Sequence, residues 1–594
     1  MNDTYKNIYD SNGNLSKITS NNDTYKYTYD LAKLLREYRF NNFKVKYNYD
    51  KNNNISNKKY VLNNLNQNIN YTYNDDNSII KTQLDNNEVN YTYDYLGRIT
   101  NRNINNSYNT DYTYITNGKR TSLLVKTLKN NNDIYKYKYD KLNNITHIYL
   151  NDNLINRYYY DNYNELIKEH DYQNNQTIEY TYDNYGNLLS KKIYELNTTT
   201  LVSENTYEYS NTNWVDQLTK FNNESITYDE IGNPLTIGNK TLSWIWGRSL
   251  YSYNDGTNNI VYKYNKDNIR TIKWINNTPT YYYLEGNDII FEETNNNVIY
   301  YIRDISGLTG FKYNDNIYYY VKNLQNDIIG ILDSNYQEIV KYKYDSWGNI
   351  LSILDNNGND ISNDSTHIAN INPYRYRSYY YDKETNLYYL NSRYYNPKWG
   401  RFLNADELLI QKNNGNNLFL YCNNSPSTYV DATGYYAKKI SYAYLYEYDY
   451  KIIKESETDS YEVRIIIDNQ KYTAKIENQV LHFSFIENKN YNNQYAYTIS
   501  DALYKSYNDI YQQNMTGRTI NGITTELKIH YDIHKIDKDL TNTQVADMGT
   551  TKNDNNAIVF ETIKENYIVK KIEKEVKKNK NKIINFIKSL FMIL

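Results

Sequence analysis

One phrase recurs along this chain: tyrosine, any residue, tyrosine, aspartate, two residues, glycine, then asparagine or arginine and an apolar run. It reads "YTYDYLGRIT" at 91–100, "YTYDNYGNLLSKKIY" at 180–194, "ITYDEIGNPLT" at 226–236 and "YKYDSWGNILSIL" at 342–354. The turns start at Asp10, Asp30, Asp50, Asn74, Asp94, Asp140, Asp161, Asp183, Asp229 and Asp345. Between Asp10 and Asp183 the spacing is mostly about 20 to 25 residues, with "YTYITNG" at 112–118 filling the gap before Asp140. A fixed period in that range marks a repeat architecture, whose units cannot bury their own faces and must lean on neighbours.

Each unit reads as a β-hairpin. Side chains alternate along a strand with period two, so Tyr-x-Tyr puts both rings on one face. Aspartate at the first turn position can accept from the backbone two residues on, and glycine at the fourth takes up the left-handed conformation. Where glycine is missing, Asn143 and Asn164 stand in its place, and asparagine also tolerates that conformation. One hairpin is marginal in water, whereas stacked hairpins cover each other's faces and edges. The expectation is a mainly β chain whose sheet spirals on itself. Its 77 tyrosines, against 12 phenylalanines, carry hydroxyls that need a partner or water when buried. A tyrosine-faced sheet therefore predicts a wet, hollow shell rather than a stack of β-sandwiches with aliphatic cores.

The remaining totals set limits. At 594 residues the chain exceeds a single compact core. A net charge of −2 gives no electrostatic reason for a nucleic-acid or membrane partner, and none is evident for the shell. Cys422 is the only cysteine, which excludes disulfides within the chain and a cysteine metal cluster. The opening "MNDTYKNIYDSNGNLSKI" has no basic stretch followed by an apolar one, so no secretory signal is expected. The closing "IINFIKSLFMIL" is too short for a transmembrane helix.

The phrase Y-x-Y-D-x-x-G-N/R-L/I resembles the YD repeat of the RHS-repeat family, which includes bacterial polymorphic toxins, the C subunits of insecticidal Tc toxins and the animal teneurins. Residues 340–434 resemble the RHS-repeat-associated core, on "YYYDKETNLYYLNSRYYNPKWGRFLNADEL" at 379–408 and "NNLFLYCNNSPSTYVDATG" at 416–434. The resemblance implies a β-shell of repeats over 1–339, the core over 340–434, and a variable effector-like domain over 435–594 held as cargo. It further implies toxin delivery in bacterial competition and a secreted or cell-surface location. The implied partners are a small immunity protein and a delivery protein supplying a missing N-terminal part.

The resemblance also implies aspartyl self-cleavage at the end of the core, near residue 435. Pro426, Asp431 and Gly434 match the family's cleavage phrase, while Ala432 replaces a proline and Tyr435 a leucine. Asp406 matches the acidic residue of the family's R-F-x-x-x-D-P, with Glu407 in place of its proline. Asp382 is the candidate second carboxylate, and Arg393 or Arg401 could orient one of the pair. Such chemistry needs two carboxyls in one site, one to take a proton from water and one to polarise the scissile carbonyl. The alternative role for Asp406 is a strand-end cap or ion pair.

After Gly434 the repeat stops. "YAYLYEYDYKIIKE", "SYEVRIIID" and "QKYTAKIENQVLHFSFI" alternate as strands, while 499–515 and 522–536 have helical spacing. A lysine-rich helix closes the chain, and the expectation for the domain is a small α+β fold. Three of the six histidines lie here: His482, His530 and His534. On a helix, Glu526, His530 and His534 would share one face, where they could bind a divalent metal. With Arg518, Asp547 and Asp554 nearby in sequence, they would also suit nuclease-like acid–base chemistry. No other cofactor is evident. Two further readings are a surface adhesion or carbohydrate-binding YD protein and an orphan fragment of a longer toxin. The compositional break after the core favours cargo over adhesion.

Overall fold

The computed structural model describes residues 5–440 except 21–22, 95–96, 118–119, 407–416 and 436, and beyond these only six strands between Tyr450 and Phe560. The chain divides into two compact units, one of residues 1–93, 99–113 and 126–440, the other of 94–98, 114–125 and 441–594.

In the first unit the repeats form one large sheet whose described pairings join consecutive strands antiparallel. It belongs to a sheet of 34 strands that does not close into a barrel. The corners are built as the repeat phrase predicts. At Asp183 the backbone closes through Asp183 N to Asn187 O at 3.0 Å and Gly186 N to Asp183 O at 3.1 Å. Asp183 Oδ1 accepts from the Tyr185 and Asn187 amides at 2.8 and 2.9 Å. Gly186 sits at φ +75°, a conformation a β-carbon disfavours. Asn143 and Asn164 take the same conformation at φ 65° and 66°.

The asparagine after the glycine has its own part. Asn187 Nδ2 donates both to Asp183 Oδ2 at 2.9 Å and to the Val215 carbonyl at 3.2 Å. Asn233 and Asn349 likewise bridge from their own corner aspartate to the Gly247 and Pro397 carbonyls. These three corners are thereby tied to other segments along the rim. Corners also open at Asn265, Asn323, Asp333 and Asp355.

The two tyrosines of Tyr-x-Tyr do different work on their shared face. The first turns inward: Tyr47, Tyr137, Tyr180, Tyr262 and Tyr342 are buried. The second, just before the corner, reaches across to a backbone carbonyl of the preceding hairpin. Tyr29, Tyr49, Tyr73, Tyr93, Tyr160, Tyr182, Tyr228, Tyr264 and Tyr344 donate to Leu15, Leu35, Ile55, Ile79, Ile145, Leu166, Leu218, Leu250 and Ile328 at 2.5–3.0 Å. Except at Leu218 and Leu250, the acceptor lies five residues past a residue that opens an earlier corner, Ile328 standing five past Asn323. Every such bond latches one repeat to the one before it.

The sheet curls so that strands distant in sequence face each other. Phe43 packs on Phe291 with ring centres 6.0 Å apart, and Tyr60 on Tyr300 at 6.2 Å. Tyr47 and Tyr60 donate to the two oxygens of Glu285 at 2.8 and 2.6 Å, and Lys58 pairs with the same carboxylate. Tyr301 and Tyr380 share Glu292 in the same way. Buried carboxylates thus accept from several of the inward hydroxyls.

Residues 374–406 and 417–434 form a cap across the rim of corners. Its small sheet runs through Tyr380–Asp382, Leu387–Tyr389, Tyr394–Asn396 and Arg401–Phe402. Tyr388 and Tyr395 donate to the Gly348 and Trp347 carbonyls of the Asp345 corner at 2.8 and 2.7 Å. Asn424 reaches Gly186 O at 2.7 Å, and the Ala405 amide reaches Gly232 O at 3.2 Å.

In the second unit the described strands from Tyr450 onward form a six-stranded sheet. Its strands Val480–Phe485 and Ile529–Ile533 pair in parallel, with His482 opposite His530. The helical spacing expected over 522–536 is thus corrected at Ile529–Ile533, where "IHYDI" alternates apolar and polar residues as a strand does. The segments 499–515 and 566–594 lie outside the described residues.

Removing a latch hydroxyl forfeits a hydrogen bond worth about 1 kcal/mol. Tyr182→Phe is expected to speed amide exchange in strand Leu166–Asp171 about fivefold, while the exposed Tyr185→Phe leaves it unchanged. Hydrogen exchange read by mass spectrometry separates the two.

Glu169, buried and accepting from Tyr180 and Ser346, gives a pH signature. Burial pushes its carboxyl up to about 7 from an ordinary 4.5. The folded state holds the extra proton, so the stability this group contributes is full below pH 4.5 and is lost as pH rises through about 7. The urea midpoint of Glu169→Gln should fall less than that of the native chain across this window. Parallel profiles would contradict the assignment.

Candidate functional site

The last turn of the cap brings two carboxylates onto one guanidinium. Arg393 follows a tight loop in which the Leu390 amide donates to the Arg393 carbonyl at 2.9 Å. Its side chain is buried, with Cζ 3.6 Å above the Phe402 ring. Arg393 Nη2 lies 3.0 Å from Asp406 Oδ2 and 3.7 Å from Asp431 Oδ2. Its Nη1 donates to the Leu418 carbonyl at 3.1 Å, and its Nε donates to the carbonyl of Gly434. That carbonyl belongs to the peptide joining Gly434 to Tyr435.

Asp431 is both a local cap and a buried acid. Its Oδ1 accepts from the Gly434 amide at 2.8 Å and the Thr433 amide at 3.3 Å, and its own amide donates to Tyr379 Oη at 2.9 Å. These bonds hold the turn with Ala432, which is exposed, where the family phrase has proline. Burial pushes the Asp431 carboxyl above its ordinary value, against the pull of Arg393 and the two amides. Burial also lowers the Arg393 guanidinium, with Asp406 and Asp431 opposing. Ser392 fixes the segment from the other side, its Oγ donating to Thr433 O at 2.7 Å and its amide to the same oxygen at 3.2 Å.

Gly434 leaves no room for a side chain. At φ +75° a β-carbon there would sit 2.6 Å from Ser392 Oγ, 2.9 Å from Leu390 O and 3.1 Å from the Arg393 amide. The close approach that this glycine permits delivers its carbonyl to Arg393.

The other residues singled out in the sequence go elsewhere. Asp382 is fully buried and pairs with Arg270 Nη1 at 2.5 Å and Lys273 Nζ at 2.8 Å. Burial alone would raise its carboxyl, but the two cations outweigh it and hold it below the ordinary range. Arg270 also lies over the rings of Tyr389 and Tyr282, so this cluster fastens cap to wall. Arg401 spends its donors on Asn187 Oδ1, Tyr209 Oη and the Asp216 carbonyl. The carbonyl of Pro426 accepts from Arg377 Nη2. The grouping thus contains Asp406, Asp431, Gly434 and Arg393, and adds Ser392 and Tyr379. No sequence signal marked those two as contacts of the 431–434 turn. His530 lies in a strand, which rules out one helix face shared with Glu526 and His534; the latter two fall outside the described residues.

No family model matches the chain. In sequence it is 33% identical over 249 residues to the tRNA nuclease WapA of Bacillus subtilis strain 168. It is 34% identical over 255 residues to the tRNA(Glu)-specific nuclease WapA of Bacillus subtilis subsp. natto. These alignments take in 40% and 41% of this chain but span only 10% of each relative. In structure it is similar to a chain of the Photorhabdus luminescens Tc holotoxin pore bearing a TccC3 variant, with a TM-score of 0.55 and 16% identity over 73% of this chain and 24% of that one. A chain of a TcdB2-TccC3-Cdc42 complex gives 0.50 at 18% identity, with the same coverage. These structural likenesses establish a common shell fold.

Gly434→Ala should loosen the 431–435 turn. The residue-434 amide, which donates to Asp431 Oδ1, is expected to exchange faster, while Ala432→Gly at the exposed position leaves it unchanged. Equal protection in the two variants would contradict the packing described.

Proposed function

This chain is an RHS/YD-repeat protein, and we propose on that footing that its shell holds residues 435–594 as a toxic effector released by self-cleavage near Tyr435. The observation that supports release is the meeting of Asp406, Asp431 and the Gly434 carbonyl on Arg393. Arg393 draws electron density onto the carbonyl oxygen, which favours attack on the Gly434 carbon. Asp406 takes a proton from the attacking water, and the new bond forms between that oxygen and the carbon. Asp431, whose burial favours the protonated form, supplies the proton as the bond to the Tyr435 nitrogen breaks. Two carboxyls in unlike surroundings thereby divide the roles of base and acid.

The toxin reading over adhesion draws on the relatives, which are named as tRNA nucleases. For this chain we take RNA cleavage as the class of effector activity and His530 as its acid–base residue. The domain limits 1–339, 340–434 and 435–594, a secreted or cell-surface location and a neutralising immunity protein belong to the same proposal. No helix among the described residues is long and apolar enough to cross a membrane. Among the described residues the strand Lys6–Tyr9 pairs with Leu15–Thr19, and we take its other side as the edge to which a delivery partner adds a strand.

Expression of the full chain in bacteria, followed by denaturing electrophoresis, tests the reading. The expected result is two fragments parting near residue 435, with a single band from Asp406→Asn and from Asp431→Asn. Growth arrest relieved by His530→Ala is expected alongside. A persistent single band from the native chain would overturn self-cleavage, and harmless accumulation would overturn the effector.

A further inference from the structure

Within the first unit a cleft of about 580 Å³ opens between the wall of residues 130–174 and that of 321–358, floored by Tyr376, Arg377 and Ser427 of the cap. This is the size of a small-molecule site. Its charges are unbalanced. Three acids lining it are matched: Asp327 by Arg377 at 3.0 Å, Asp345 by Lys191 at 2.6 Å and Glu338 by Lys341 at 3.3 Å. Glu169 and Asp171 are both buried and line the same cleft, and no described ion pair supplies either with a cation. Glu169 accepts only from the hydroxyls of Tyr180 and Ser346, and Asp171 from amides of its own turn. Asp133 and Asp355 add negative charge at the lining, and Lys343 is the one lining cation outside these pairs.

A second observation comes from an uncharged group. Gln325 lines the cleft and is 5% exposed. Its amide N–H donates to the Ser427 carbonyl at 3.3 Å, but its Oε1 has no protein donor. A buried acceptor without a donor costs free energy that a ligand N–H would recover. Tyr158 and Tyr342 line the cleft between the two walls, the latter with its ring covered by the Arg375 guanidinium at 4.6 Å.

We propose that this cleft binds a protonated alkylamine, with Glu169 and Asp171 as its anionic partners and Gln325 Oε1 accepting one of its N–H groups. The raised carboxyls of Glu169 and Asp171 agree with such a site, which holds protons in place of the missing cation. The amine is either a free polyamine or a lysine side chain of a peptide.

Calorimetry on the full chain at pH 8 tests the site, with spermidine, pentalysine and an uncharged trisaccharide as probes. The proposal expects heat from at least one amine and none from the sugar. It expects affinity to fall at least tenfold in Glu169→Gln/Asp171→Asn and severalfold in Gln325→Leu. Tighter binding of pentalysine assigns the amine to a peptide, and tighter binding of spermidine assigns it to a free polyamine. Absence of binding by both amines at millimolar concentration, or unchanged affinity in the double variant while its amide exchange stays native, would overturn the site.

Discussion

The structure of the shell depends on a hydroxyl-to-carbonyl bond made once per repeat. A hairpin alone is only marginally stable. Here nine tyrosines that stand just before a corner give their hydroxyls to a backbone carbonyl of the preceding hairpin, as Tyr182 does to Leu166 and Tyr49 to Leu35. The bond joins adjacent units and fixes their register, since a slip by one residue would turn the ring to the other face. Each is worth about 1 kcal/mol, so its weight lies in recurrence. Phenylalanine could fill the same volume but could not latch, which explains why the repeat uses tyrosine.

The corners carry the second constraint. An aspartate or asparagine closes the turn through backbone amides, and at Asn187, Asn233 and Asn349 the asparagine four residues on ties the turn to another segment of the rim. The cap then reads these corners as a docking surface, with tyrosine hydroxyls and asparagine amides set on their carbonyls. A chain end held this firmly places Gly434 against Arg393, between two carboxylates in unlike surroundings. The candidate chemistry thus follows from how the shell is closed.

Much of this was legible in the sequence. Aspartate and glycine at fixed offsets marked the corners, and the stand-in role of Asn143 and Asn164 is met at φ 65° and 66°. The corner at Asn265 carries the same form as that at Asn74, "YKYNKDN" beside "YTYNDDN", whereas Asn323 follows Val321 and Lys322 and lacks the tyrosine pair that marks the phrase. The latch itself was hidden, because a backbone carbonyl carries no signature in a sequence. The same holds for Glu285 and Glu292, which accept from tyrosines on strands far away along the chain. In the site, Asp406 and Asp431 could be found by phrase, whereas the choice between Arg393 and Arg401 needed the fold. Asp382 stands out only as a carboxylate in "YYYDKET", and two buried cations claim it instead. At 529–533 the alternation of Ile529, Tyr531 and Ile533 was the better guide than a spacing of four between histidines.

The most direct test of the latch is an experimental density map of the shell at a resolution that places tyrosine hydroxyls. The account predicts the corner tyrosines from Tyr29 to Tyr344 with their oxygens 2.5–3.0 Å from the carbonyls of the preceding hairpin. Rings swung out to solvent, with those carbonyls bonded to water and the strands still in register, would contradict it.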